Sequence, residues 1–251
     1  MRRTYRALAM LAAMSAAALS AALVPVPGTG PVAARAQANG GAQAGGEAQP
    51  AGGGGELVPL QVVPGAETFT DPSSGIVFPK AVTLRDGDRE FRMKATGSGL
   101  RKKIVFKVYG AALYVDETAA LGPDPLASLV AGHMARRIVM TFKRDVDYGK
   151  IREAYEGGLK RVWKGKLDPA VAPDLETFLH YFDKGVKEGQ SIELTYLPDK
   201  GLCTAVAGVS YPLVTNPKIA HDIWAVWLGD DPVSTDLRRD LVRFLTAGEG
   251  R

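Results

Sequence analysis

The chain has 251 residues, of which 46% are hydrophobic and 23% charged. That suits one globular domain of ordinary size with accessory segments, and excludes a fibrous or wholly disordered protein. The formal net charge of +4 is carried by Arg2, Arg3, Arg6 and Arg35, which lie with no acid inside the first 38 residues. The rest is neutral overall, which removes the electrostatic motive for nucleic-acid or membrane-surface binding.

The N-terminus has the pattern of a signal peptide. Arg2, Arg3 and Arg6 form a basic start, Ala7 to Val24 an apolar stretch, and Ala36-Gln37-Ala38 a small-x-small cleavage site. Residues 1–38 are therefore expected to be removed, leaving a periplasmic or secreted protein with no stable membrane insertion. The rival reading is an uncleaved anchor, since about 20 apolar residues can span a bilayer. Residues 39–75 are expected to be a spacer. Asn39 to Gly55 is Gly, Ala and Gln with almost no bulky side chain, so ordering it would bury too little to offset its entropy. Leu57 to Pro79 is a Pro-rich extended arm leading into the first strand.

The folded domain is expected over residues 76–247. Ile76 to Leu84 is a strand candidate. In Glu90 to Thr96, Phe91, Met93 and Ala95 alternate onto one face. Ile104 to Val115 is apolar on both faces and predicts a central strand covered twice. Asp147 is placed to cap a helix to about Lys164, with Ile151, Tyr155, Leu159 and Val162 as its apolar stripe. Arg137 to Phe142, Ser191 to Leu197 and Leu202 to Val209 are further strands, the last two joined across Pro198-Asp199-Lys200-Gly201. Pro173 to Lys184 is a helix. Asn216-Pro217 opens another that stops at Gly229, and Ser234 caps the last. Strands with helices segregated late in the chain indicate an α+β fold.

Chemistry-bearing motifs are few. Cys203 is the only cysteine, which forbids an intrachain disulfide; it sits in an apolar run as a small buried hydrophobe. His133, His180 and His221 match no metal spacing, so no metal and no cofactor is expected. Gly97-Ser98-Gly99 precedes a strand and lacks the helix N-terminus that binds phosphate; a tight turn or a close backbone approach is the plainer reading. The run Gly97 to Lys103 could deliver Arg101 as an anion clamp, or it could be a solvated basic turn.

The segment GSGLRKKIVFKVYGAALYV resembles the opening signature of the chalcone isomerase-like family, and VMTFKRDVDYGKIREAYEGGL, EGQSIELTYLPDKGLCTAVAGV and NPKIAHDIWAVWLGDDPVSTDLRRDLV are similar to its later segments, in order. The resemblance implies an open-faced β-sandwich, a large antiparallel sheet with helices packed on one face and a ligand cleft between them. It also implies catalytic roles at Arg101, Tyr109 and Tyr148, and substrate-binding roles at Arg101, Tyr148 and Tyr155. Tyr109 and Tyr155 stand where the family has a threonine and an asparagine, which adds bulk to the cleft.

Three functions are consistent with this reading. One is a binding protein for a small amphipathic carboxylate such as a fatty acid, headed by Arg101. Another is a cofactor-independent isomerase, an intramolecular lyase acting on a phenolic enone. The third is a structural partner in an envelope assembly. The oligomeric state is not legible in the sequence.

Overall fold

The computed structural model describes residues 60–246. The expected signal segment 1–38 and the Gly-rich spacer Asn39 to Gly55 lie outside the described residues. Ordered structure starts well before the expected Ile76. Strands β1 (Gln61–Pro64), β2 (Thr68–Thr70), β3 (Val77–Pro79) and β4 (Ala81–Asp86) come first. The single strand expected from Ile76 to Leu84 is thus two. The chain leaves the small β2–β3 sheet and enters the large one at Lys80, whose N–H donates to Glu67 O and whose carbonyl accepts from Ala95 N.

Next come β5 (Arg89–Lys103), β6 (Phe106–Asp116), α1 (Pro125–Ala131), β7 (Arg136–Phe142), α2 (Tyr148–Val162), α3 (Ala172–His180), β8 (Ser191–Leu197), β9 (Gly201–Val206) and β10 (Val209–Ser210). The chain ends in α4 (Pro217–Asp222), α5 (Ala225–Leu228), α6 (Thr235–Leu241) and α7 (Arg243–Thr246). The large sheet has eight antiparallel strands in the order β1-β4-β5-β6-β7-β8-β9-β10. It curls, and the β4–β5 tip reaches the β8–β9 turn, where Lys200 Nζ lies 2.6 Å from Asp86 Oδ1.

The caps follow the side chains expected to make them. Asp147 Oδ1 accepts from Lys150 N at 3.0 Å, Asn216 Oδ1 from Lys218 N at 3.0 Å and Ser234 Oγ from Leu237 N at 3.3 Å. Each satisfies an N–H that the first helical turn leaves without a partner.

Strand alternation sorts the core into two layers. Ala111, Leu113 and Val115 of β6 face the helices, in the cluster that holds Ile151, Phe178, Phe182 and Trp224. Ala112 and Tyr114 face the other side, with Met93, Leu84 and Phe78, where the β2–β3 arm covers part of the sheet. That arm is fixed by Asp71, whose fully buried carboxylate accepts from Ser74 N and Ser74 Oγ at 2.7 Å each and from Ser98 Oγ at 2.8 Å.

Candidate functional site

The Gly97–Lys103 segment is not a turn. It is the second half of β5, and the turn lies beyond it at Ile104–Val105. Gly97, Gly99 and Arg101 pair with Leu113, Ala111 and Tyr109 of β6, so all three share the helix-covered face. A Cβ on Gly97 would lie 2.2 Å from Asp240 O, and one on Gly99 2.7 Å from Asp240 Cβ. The two glycines therefore exist for close approach by α6, and the next position on that face carries the guanidinium.

Beside it, Tyr109 packs its ring 5.5 Å from Phe142, and its hydroxyl accepts from Trp227 Nε1 at 3.0 Å. Burial raises the Tyr109 phenol pKa, partly offset by the Trp227 N–H and by the charge of Arg101. Tyr155 is buried, stacked on Phe182 at 4.9 Å and edge-on to Phe178 at 5.3 Å and to Trp227 at 6.1 Å. Burial, and then the neighbouring Tyr109, push its phenol well above the ordinary value. Both phenols are protonated at neutral pH. Tyr109 accepts one hydrogen bond and keeps its own proton to donate.

Arg101 is half-buried. Its Nη1 donates to the carbonyl of the adjacent Lys102, and among the described residues it makes no ion pair. A guanidinium without a carboxylate, on the residue paired across the strands with Tyr109, and a hydroxyl with a proton to give are two donors of the kind an anion accepts from.

The structure thus links Tyr109 and Tyr155 through Trp227, which the sequence did not single out, and sets Arg101 opposite Tyr109 across the β5–β6 pair. Tyr148 is engaged elsewhere. Its hydroxyl accepts from Arg152 Nη1 at 2.9 Å, and the same arginine holds Glu176 through two contacts of 2.6 Å and Glu156 at 2.8 Å.

A second polar cluster was not legible in the sequence. Arg136 is fully buried, with its guanidinium 4.6 Å from the Tyr196 ring and 5.1 Å from the Trp224 ring. Burial lowers its pKa to about 10. Nη1 donates to Gly132 O at 2.6 Å, while Nε and Nη2 have no hydrogen-bond partner. The Tyr196 hydroxyl lies 3.3 Å from both His133 Nδ1 and His221 Nε2. The available signal was an Arg-Arg pair at the start of an apolar strand, because alternation must turn one of the two inward.

Two clefts lie away from Arg101. One, of about 320 Å³ between α2 and α3, includes Arg152, already paired with two carboxylates. The other, of about 210 Å³ on the opposite sheet face, includes Arg137, paired with Glu193, and Lys200, paired with Asp86. The arginines of both clefts and Lys200 are paired with carboxylates, whereas Arg101 makes no ion pair among the described residues. Among the described residues no group of three or more His, Cys, Asp or Glu could hold a metal ion, and no helix is long and apolar enough to cross a membrane.

The family described as chalcone isomerase-like matches residues 72–242. The chain belongs to the chalcone isomerase-like family. A solved structure of a fatty-acid binding protein from Arabidopsis thaliana superimposes with a TM-score of 0.56 at 19% identity, covering 70% of this chain and 96% of that one. At that identity the likeness is one of fold. No curated protein matches. The family boundary at residue 72 falls on the arm held by Asp71, so β1 and β2 precede the matched region of this chalcone isomerase-like domain.

Proposed function

We propose that this chain is an exported binding protein for a small amphipathic carboxylate, a fatty acid being the simplest, with the carboxylate held by Arg101 and the Tyr109 hydroxyl. The observation that carries this reading is the uncompensated guanidinium beside a hydroxyl whose lone pair is already used by Trp227. The layer between the sheet and the helices is close-packed in this structure, so an acyl chain extending from Arg101 would enter it by displacing side chains; the solved neighbour of this fold is a fatty-acid binding protein.

Titration with hexadecanoate tests the reading. Arg101→Ala should weaken binding about ten- to a hundredfold, since a charge-assisted hydrogen bond contributes roughly 1.5 to 3 kcal/mol. Arg101→Lys should recover only part of the loss, because a point charge lacks the planar fork. Turnover of a phenolic enone above the spontaneous rate, lost in Arg101→Ala, would replace binding with isomerisation.

A further inference from the structure

The turn between β5 and β6 presents three consecutive apolar side chains to solvent. Ile104 is 87% exposed, Val105 78% and Phe106 56%. Other large exposed apolar residues, such as Val77 and Val209, are scattered singly, which is ordinary for a soluble surface. Ile104 also has φ 57°, a left-handed conformation that β-branched residues rarely adopt. Two-residue hairpin turns favour Asn, Asp and Gly here, so neither local geometry nor solubility accounts for Ile-Val.

The charge around the tip is one-sided. From Ala95 to Val115 there is no acid, and Arg101, Lys102, Lys103 and Lys107 are cationic. Lys143, whose N–H donates to Val108 O, and Arg144, whose guanidinium lies 4.8 Å from the Phe106 ring, extend the collar. The neutrality of the chain beyond residue 38 conceals this local cluster.

We infer that the Ile104–Phe106 tip docks on an anionic lipid surface, with the three apolar side chains entering the headgroup–acyl boundary and the collar of lysines and arginines meeting the lipid phosphates. Apolar residues backed by cations are the chemistry that interfacial binding selects. A specific protein partner would ordinarily cover about 800 Å² per side, and a projecting three-residue tip offers much less. Arg101 stands three residues from Ile104, so docking sets the carboxylate site beside the membrane. That consequence rests on the function proposed above; the docking does not.

The test is co-sedimentation of the full chain with vesicles of phosphatidylcholine alone and of phosphatidylcholine mixed with phosphatidylglycerol. The wild type should bind the anionic vesicles more tightly, and salt should weaken that binding. Ile104→Asp with Val105→Asp, and separately Lys102→Glu with Lys103→Glu, should each weaken it roughly tenfold or more, since one cation near such a surface is worth about fivefold. All four positions are exposed, and Asp tolerates positive φ, so both variants should keep the wild-type melting temperature. They share the wild-type N-terminus, so the difference isolates the tip. Vesicle binding unchanged in both variants, or indifferent to phosphatidylglycerol, would overturn the inference, as would a tip-dependent protein complex without vesicle binding. Hexadecanoate affinity without vesicles should be unchanged in the Asp variant. Its absence in the wild type would defeat the carboxylate reading and leave docking standing.

Discussion

The indole N–H of Trp227 donates to the Tyr109 hydroxyl at 3.0 Å, tying α5 to the central strand beside Arg101. Tyr109→Phe should leave that buried N–H without an acceptor and remove a donor from the proposed carboxylate site. Stability should fall by about 1 to 3 kcal/mol in urea unfolding, and carboxylate affinity should fall with it. A variant as stable and as tight-binding as wild type would mean the hydroxyl faces neither role.

Gly97→Ala should destabilise more than Gly99→Ala. The new methyl at 97 meets backbone, Asp240 O at 2.2 Å and Leu241 C at 2.7 Å. At 99 it meets side-chain atoms, Asp240 Cβ at 2.7 Å and Leu237 Cδ1 at 3.1 Å, which can adjust further. Overpacking of this kind costs about 1 to 3 kcal/mol, with the backbone clash at the upper end. Chemical denaturation of the two variants gives the order directly.

His221 sets a pH dependence. Burial lowers its pKa, Arg136 and His133 add to this, and Asp222 opposes. The unfolded chain therefore binds this proton more readily than the folded one, and stability rises with pH across the window between the folded pKa and about 6.5. Melting temperature should fall as pH drops below that value, and His221→Gln should remove this component. The carboxyl groups of Glu67, Asp145, Asp147 and Glu176 are lowered from their ordinary values, so their contributions lie toward more acid pH. An identical pH profile for His221→Gln and wild type would contradict this assignment.

Cys203 should be a slow thiol. Burial, with Asp86 adding, raises its pKa to about 11, against the opposing charges of Lys200 and Arg137. Alkylation by iodoacetamide near neutral pH should be about a hundredfold slower in the folded protein than in urea, because only the thiolate reacts. Equal rates would show that the thiol is exposed.

The helix caps, the strand alternation and the order of elements were legible because each rests on local chemistry. Asp147, Asn216 and Ser234 cap through their own side chains, and Ile192, Leu194 and Tyr196 turn inward by simple alternation. For the Gly97–Gly99 pair the sequence left a tight turn and a close backbone approach open; the segment is strand, and what approaches is α6, more than a hundred residues later, which no local pattern states. The same distance hid Trp227 from Tyr109, and a separation of 27 residues was enough to hide Asp71 from Ser98. Tyr148 was assigned by position in a resembling segment, while its hydroxyl follows Arg152, one helical turn along. Arg136 stayed hidden because a buried arginine held between two aromatic rings has no partner residue to look for in sequence.

The central claim is that Arg101 recognises a carboxylate, and a four-way titration tests it most directly. Hexadecanoate and its methyl ester are each measured against wild type and Arg101→Ala. The account predicts that the wild type prefers the acid over the ester by roughly tenfold or more, and that Arg101→Ala binds the two alike, since the ester keeps the chain and loses only the charge. A preference for the acid of equal size in both proteins, or no binding of either ligand to the wild type, would contradict it.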